Sequence, residues 1–242
     1  MAANKPSANA PPEWYFAYGA NMLDEILVKR RGIQPLQQQT AMIPSHTLCF
    51  NAMGLPYSEP GMGGLRKVED ERRDLPVHGV ACQLTAEDMA RVILTEGGGI
   101  AYNTEKLQAT LLHDGSSITV TTLVARHNVP RECERLPSRR YLDLLIRGAH
   151  EKGLPQSYIE QRLVAQPAFE PGLTLRYRIG KTTFECVWQR LSYWIQRGVR
   201  RFKDEDGNVP PWFLKVFDCL LWTMWFQHDY LHAPLWGRGD GL

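Results

Sequence analysis

Nowhere in the 242-residue chain is there a run of about 18 consecutive apolar residues, so the sequence offers no candidate membrane-spanning helix and argues against membrane contact. Paired cysteines are missing as well. Cys49, Cys82, Cys133, Cys186 and Cys219 are odd in number, widely spaced and form no CxxC. That pattern suits reduced thiols inside a cell better than a disulfide or zinc framework. Charge of one sign is scarce: 28 Lys and Arg against 26 Asp and Glu leave a formal net charge of +2. With no dense basic cluster, nucleic acid is not an expected partner. Residues 1–13 (MAANKPSANAPPE) lack the apolar segment of a signal peptide and read as a disordered tail. These absences point to a cytoplasmic protein of ordinary globular composition, 43% hydrophobic and 22% charged. Its length leaves room for one large domain or a domain with an appendage.

What is present begins with Trp14 to Tyr18, a run suited to a buried strand. Gly19 permits a sharp turn, Asn21 is a favoured N-cap, and Leu23, Ile26 and Leu27 give a short helix its apolar stripe, which Gly32 ends. A strand, tight loop and helix start converge backbone N–H groups on one spot, which suits a carboxylate or phosphate; an ordinary βα turn would look the same. Thr47 to Phe50 reads as a short strand, and residues 51–64, rich in glycine and proline, as a long loop over the surface or a pocket. Val77 to Leu84 is a buried strand, and Thr85 with Asp88 forms a capping box for a helix carrying Met89, Val92 and Ile93. Alternation over 107–124, with a turn at 113–116, predicts a hairpin. Residues 138–147, capped near Gly148, and 155–165 are amphipathic helices. Six of the seven tryptophans lie from Trp188 onward. Residues 183–197 and 211–227 read as two helices flanking the polar turn 203–208, the second apolar nearly all round and therefore expected to be buried, with a membrane-surface or partner-binding face as the alternative.

Among chemically able residues, Glu96 stands out, at the end of an apolar helix and before three glycines. In an apolar pocket such a carboxylate would gain basicity by desolvation and could pass a proton both ways; a surface glutamate at a helix end is the alternative. The glycines follow a helix and match no phosphate-loop or dinucleotide spacing. His228 and His232 sit one helical turn apart, as in zinc hydrolases, but no third ligand stands at a family spacing, and a polar cluster at a helix end is expected instead. Arg238-Gly239-Asp240 reads as accidental. No nucleophile–base pair can be read from spacing.

Taken together, the segments are similar to one family. Tyr15-Phe16-Ala17-Tyr18-Gly19-Ala20-Asn21-Met22-Leu23 resembles the YFAYGSNLL signature of the γ-glutamylcyclotransferases. His78-Gly79-Val80, Leu94-Thr95-Glu96-Gly97, Ala101-Tyr102, Leu136 to Tyr141, Gly148-Ala149 and Glu151 to Pro155 continue the likeness in order. The resemblance implies an α+β fold, a small, mostly antiparallel β-barrel with helices round it, over residues 14–171. Residues 172–242 would be a Trp-rich helical extension packing on it, as in longer fungal members, among them gliotoxin-type enzymes that trim glutathione adducts. It further implies that Glu96 is the general base and acid, and that Tyr15, Phe16, Ala17, Tyr18, Gly19, Ala20 and Asn21, with Tyr102 and Tyr141, bind the substrate. No metal or cofactor is implied; the partner is a small γ-glutamyl compound, and a homodimer stays open. Ala20 replaces the family's loop serine. A γ-glutamylamine substrate, or a non-catalytic binding module of the same fold, remains as an alternative.

Overall fold

The structure, a computed structural model, describes residues 11–70 and 72–242. Of the expected N-terminal tail, residues 1–10 lie outside the described residues, while Glu13 already pairs with Leu84 in the first strand. The six strands among the described residues are β1 (Glu13–Ala17), β2 (Gln37–Leu55), β3 (Glu59–Lys67), β4 (Pro76–Leu84), β5 (Tyr102–Leu111) and β6 (Ser117–Ala125). They run in the order β3-β2-β4-β1-β6-β5, and a further β2–β5 pairing at Ala41 and Met42 closes five of them into a barrel. The barrel is mostly antiparallel; β1 and β6 run parallel. With partners on both edges, β1 is central, which explains why Tyr15, Phe16 and Ala17 form an unbroken buried run with no alternation.

The glycine-rich stretch 51–64 is not a loop. It is the end of β2, a short turn and the start of β3, paired from His46↔Lys67 to Leu55↔Glu59. Its glycines serve close backbone approach: a Cβ at Gly54 would lie 1.9 Å from the Glu59 carbonyl oxygen, and one at Gly61 2.2 Å from that of Arg135. Composition alone cannot separate this use of glycine from its use in turns. Irregular pairing between Ile43 and Thr47 brackets Pro44, which has no N–H to give the ladder, and there β2 bends out of the barrel to meet β3.

Helix α1 (Ala86–Thr95) starts as expected, with Thr85 Oγ1 accepting from Asp88 N at 3.2 Å. The amphipathic helix α2 (Arg139–Glu151) continues through Gly148 and turns at Gly153, where φ is +69°. Gly148 is a contact position, since a Cβ there would stand 3.0 Å from Leu23 N, in the segment that follows β1. A short helix α3 (Gln156–Tyr158) runs on as a π-helical turn to Val164.

The remainder is helical: α4 (Leu175–Phe202), α5 (Pro211–Gln227) and α6 (Ala233–Trp236), with a π-helical turn at His228–His232. Phe184 and Trp188 of α4 and Leu221, Met224 and Trp225 of α5 enclose Tyr57, from the β2–β3 turn, in a second core. A third core joins Val199, Val209 and Phe213 to Leu94 and Ile100 beside α1. The expectation that α5 is buried all round fails: Trp212, Val216, Trp222 and Phe226 are 48–60% exposed. One stripe of α5 meets the second core, and the opposite side has nothing packed on it among the residues of that core. No helix among the described residues is long and apolar enough to cross a membrane.

Candidate active site

From β1 the chain passes through Tyr18 and Gly19 into one 3-10 turn, Ala20–Met22. Gly19 is required less for its own dihedrals than for space, because a Cβ would stand 3.2 Å from the Tyr141 hydroxyl. Asn21 does not cap a helix. The next helical segment begins at Glu25 without a side-chain cap. The buried Asn21 carboxamide turns inward instead, and its Nδ2 donates to the Tyr15 hydroxyl and to Glu96 Oε1, both at 2.9 Å. An acceptor pair inside the fold outcompetes an N-cap site that the surrounding turn does not provide.

Glu96 follows α1 as its C-cap residue. Gly97, Gly98 and Gly99 have φ of +98°, +62° and +89°, so three successive left-handed residues reverse the chain directly behind the carboxylate. Arg31, one residue before the chain turns at Gly32, reaches across: its Nη1 lies 2.5 Å from Glu96 Oε1 and donates to Thr95 Oγ1 at 2.9 Å. Both polar contacts to the carboxylate fall on Oε1.

Two tyrosines fix the facing wall through a single residue. Tyr102 donates to the Gly63 carbonyl at 2.8 Å, and Gly63 N donates to the Tyr141 hydroxyl at 3.2 Å. Gly63 lies in β3, and a Cβ there would come within 2.8 Å of the Tyr141 hydroxyl. Tyr18 donates to the Leu123 carbonyl at 2.5 Å. Burial raises all four phenols, Tyr15, Tyr18, Tyr102 and Tyr141, well above the ordinary tyrosine value, and the nearby Glu96 charge adds to the shift at Tyr15, Tyr102 and Tyr141. They are neutral hydroxyl groups at any physiological pH.

Glu96, Tyr102 and Leu123 line two adjoining cavities. The inner one, about 70 Å³, is bounded by Tyr15, Tyr18, Gly19, Ala20, Asn21 and Tyr141, with Arg31, Met62 and Gly63. The outer one, about 310 Å³, is bounded by Ile93, Gly99, Asn103, Thr104 and Asn208. The structure thus gathers Glu96, Tyr15, Tyr18, Gly19, Ala20, Asn21, Tyr102 and Tyr141 in one place. Phe16 and Ala17 lie elsewhere: both are fully buried in the barrel core and neither lines the inner cavity. Sequence reasoning missed Arg31, Gly63 and Asn208. Lys29-Arg30-Arg31 was a visible basic run, yet only the fold shows which of the three meets Glu96; Gly63 was hidden in the apparent loop.

The histidine pair serves the second core. His232 Nε2 lies 2.8 Å from the Gly180 carbonyl, and both rings pack on Tyr57 and Phe184. His228, Asp229 and Asp240 offer ligand atoms within 4.8 Å of one another. The Arg238 guanidinium bonds both carboxylates and supplies the cation there. Arg238-Gly239-Asp240 packs beside the second core, with Asp240 fully buried and Gly239 against the Tyr57 ring.

Residues 77–162 match the AIG2-like family, and residues 174–235 match the AclK C-terminal domain. A γ-glutamyl cyclotransferase named gliK from Claviceps purpurea is 49% identical over 222 residues, spanning 91% of this chain and all of that protein. One of the same name from Aspergillus fumigatus is 33% identical over 245 residues, covering 94% of this chain and 89% of that one. A solved structure described as a γ-glutamyl cyclotransferase shares the fold at 20% identity, with a TM-score of 0.55 over 71% of this chain and 99% of its own. On the strength of these likenesses, the chain belongs to the γ-glutamyl cyclotransferase family.

Proposed function

We propose that the protein splits a γ-glutamyl amide by intramolecular attack, releasing 5-oxoproline and a free amine. The observation that carries this reading is a carboxylate, Glu96, shared by two adjoining cavities, one of about 70 Å³ and one of about 310 Å³. A γ-glutamyl amide has a matching shape: a small constant half bearing its own nucleophile, and a variable amine half. The γ-glutamyl group occupies the inner chamber, with its α-carboxylate against the backbone of residues 18–21, where donors fixed in advance also polarise the γ-carbonyl oxygen.

Asn21 and Arg31 hold Oε1, which leaves Oε2 to take a proton from the substrate ammonium. The freed amine attacks the γ-carbonyl carbon, closing a five-membered lactam. The bond from that carbon to the amide nitrogen breaks, and Glu96 returns the same proton to the departing nitrogen. The enzyme supplies no nucleophile of its own. The neutral hydroxyl groups of Tyr102 and Tyr141 hold the Gly63 strand that faces Glu96 and keep the chamber's shape. Ala20 lacks a hydroxyl that the family's loop serine would provide, a difference of about 0.5–1.5 kcal/mol for one hydrogen bond, which alters affinity without removing the chemistry.

The substrate in this reading is a γ-glutamyl peptide or a glutathione S-conjugate. Measuring 5-oxoproline release by the wild type and by Glu96→Gln tests the proposal. Release by the wild type and its loss in the variant is the expected result. Equal rates in both would remove Glu96 from the mechanism, and no release by either would favour a binding module.

A further inference from the structure

We propose that the turn between α4 and α5 is a wall of the binding site for the amine half of the substrate, with Asn208 as its specificity-determining residue. The inference deepens the cyclotransferase reading and rests on it. Asn208 lines the outer cavity together with Glu96, although 112 positions separate them. The turn is seated on the Glu96 loop by close backbone contacts. Val209 N donates to the Gly98 carbonyl at 2.9 Å, and a Cβ on Gly207 would lie 2.4 Å from the Ala90 carbonyl oxygen. Behind it, Val199 and Val209 pack against Leu94 and Ile100.

The turn is also rigid in itself. Asp204 N donates to the Asn208 carbonyl at 2.7 Å, and Asn208 N donates to Asp204 Oδ1 at 2.8 Å. Asn208 therefore stands at a fixed place and not on a wandering loop, as a selective contact requires. The lining defines what chemistry the chamber accepts. Apart from Glu96 its polar side chains are neutral, namely Tyr102, Asn103, Thr104 and Asn208, and Ile93 and Leu123 supply apolar surface. Carboxamides and a hydroxyl recognise peptide amides by donating and accepting together, whereas a terminal ammonium would find no acid but Glu96. A volume of about 310 Å³ is of the size that holds a small organic ligand. The geometry suits a peptidyl amine carrying an apolar substituent, such as the cysteinylglycine half of a thioether of glutathione.

Two substrates that share the γ-glutamyl half and differ in the amine half separate this wall from the catalytic centre: γ-glutamylalanine and S-benzylglutathione. The quantity read is the ratio of their kcat/KM values. Asn208→Trp fills the chamber and is expected to shift that ratio at least tenfold against S-benzylglutathione. Asn208→Ala, which keeps the turn, shifts it about threefold in the same direction by loss of a hydrogen-bonding group. A ratio unmoved in both variants, or an equal fall for both substrates, overturns the proposal. Should the wild type release no 5-oxoproline from either compound, the cyclotransferase reading fails. Calorimetric binding of S-benzylglutathione still reads the wall: weaker binding in Asn208→Trp than in the wild type, at unchanged Tm, supports it, and equal binding refutes it.

Discussion

Replacing Asn21 by alanine removes one Nδ2 group that donates at 2.9 Å to both the Tyr15 hydroxyl and Glu96 Oε1. The two bonds differ in kind. A hydrogen bond to an ionised carboxylate is worth about 1.5–3 kcal/mol and one between neutral groups about 0.5–1.5 kcal/mol. The first fixes the group proposed to move the proton; its loss corresponds to a fall of roughly 10–150-fold in kcat/KM at about 1.4 kcal/mol per decade. The second mainly stabilises the fold, and its loss lowers Tm by roughly 2–4 °C for each kcal/mol in a chain of this size. Steady-state release of 5-oxoproline reads the first effect and thermal unfolding the second. Tyr15→Phe separates them: it removes the neutral bond alone, so it should share the loss in Tm and keep most of the activity. If Asn21→Ala lowers Tm while kcat/KM stays within about threefold of wild type, the carboxamide is structural and its contact with Glu96 has no part in the chemistry.

Three further outcomes follow from other contacts. Gly63→Ala forces a methyl group to within 2.8 Å of the Tyr141 hydroxyl and disturbs the Tyr102–Gly63–Tyr141 chain; activity should fall by an order of magnitude or more, and full activity at native Tm would show that the strand gives way. Burial pushes the Cys49 and Cys82 thiols up to about 12, while Cys133, Cys186 and Cys219 are exposed; a thiol reagent at mildly alkaline pH should titrate three groups in the native protein and five after denaturation. Hydrogen bonds from Arg126, and then from His127, hold the Asp218 carboxyl below its ordinary value and tie α5 to the segment after β6. Because the folded value is depressed, the contribution is complete above the unfolded value of about 3.9 and is lost as pH falls through the folded one. The Tm gap between wild type and Asp218→Asn should therefore be wide at neutral pH and close in acid; a gap constant down to about pH 2.5 contradicts the assignment.

Features that rest on local chemistry were legible in the sequence. The run Trp14–Tyr18, the cap at Thr85 and the hairpin now seen as β5 and β6 follow from propensity, side-chain oxygen geometry and alternation, and each stands within a few residues of its expected place. What misled was the use of a local signal for a distant purpose. Gly54, Gly61 and Gly63 lack side chains because backbone or a phenol from elsewhere comes close, so a composition that elsewhere marks a loop here lies within strands. Asn21 has the chemistry of a helix cap, but its partners stand 6 and 75 residues away. Arg31 meets Glu96 from an earlier part of the chain and Asn208 lines a cavity with it from a later part, and no local pattern carries such a neighbourhood.

Tyr57 shows how firmly the helical extension is tied to both walls of the site. It has φ of 67°, a left-handed conformation that costs a residue with a side chain about 1–3 kcal/mol. It is nonetheless fully buried among Tyr177, Phe184, His228 and His232, its hydroxyl donates to the Gly237 carbonyl at 2.6 Å, and its N–H to that of Gly239 at 2.5 Å. Burying an aromatic ring removes about 150–250 Å² from water, worth roughly 4–6 kcal/mol at 25 cal/mol per Å². Packing therefore exceeds strain, but only while the extension is there to supply the packing. Six residues further along the same hairpin lies Gly63, the residue both Tyr102 and Tyr141 hold. At the other end of the extension, Val209 bonds Gly98 behind Glu96. The extension thus grips both the hairpin that carries Gly63 and the loop that follows Glu96.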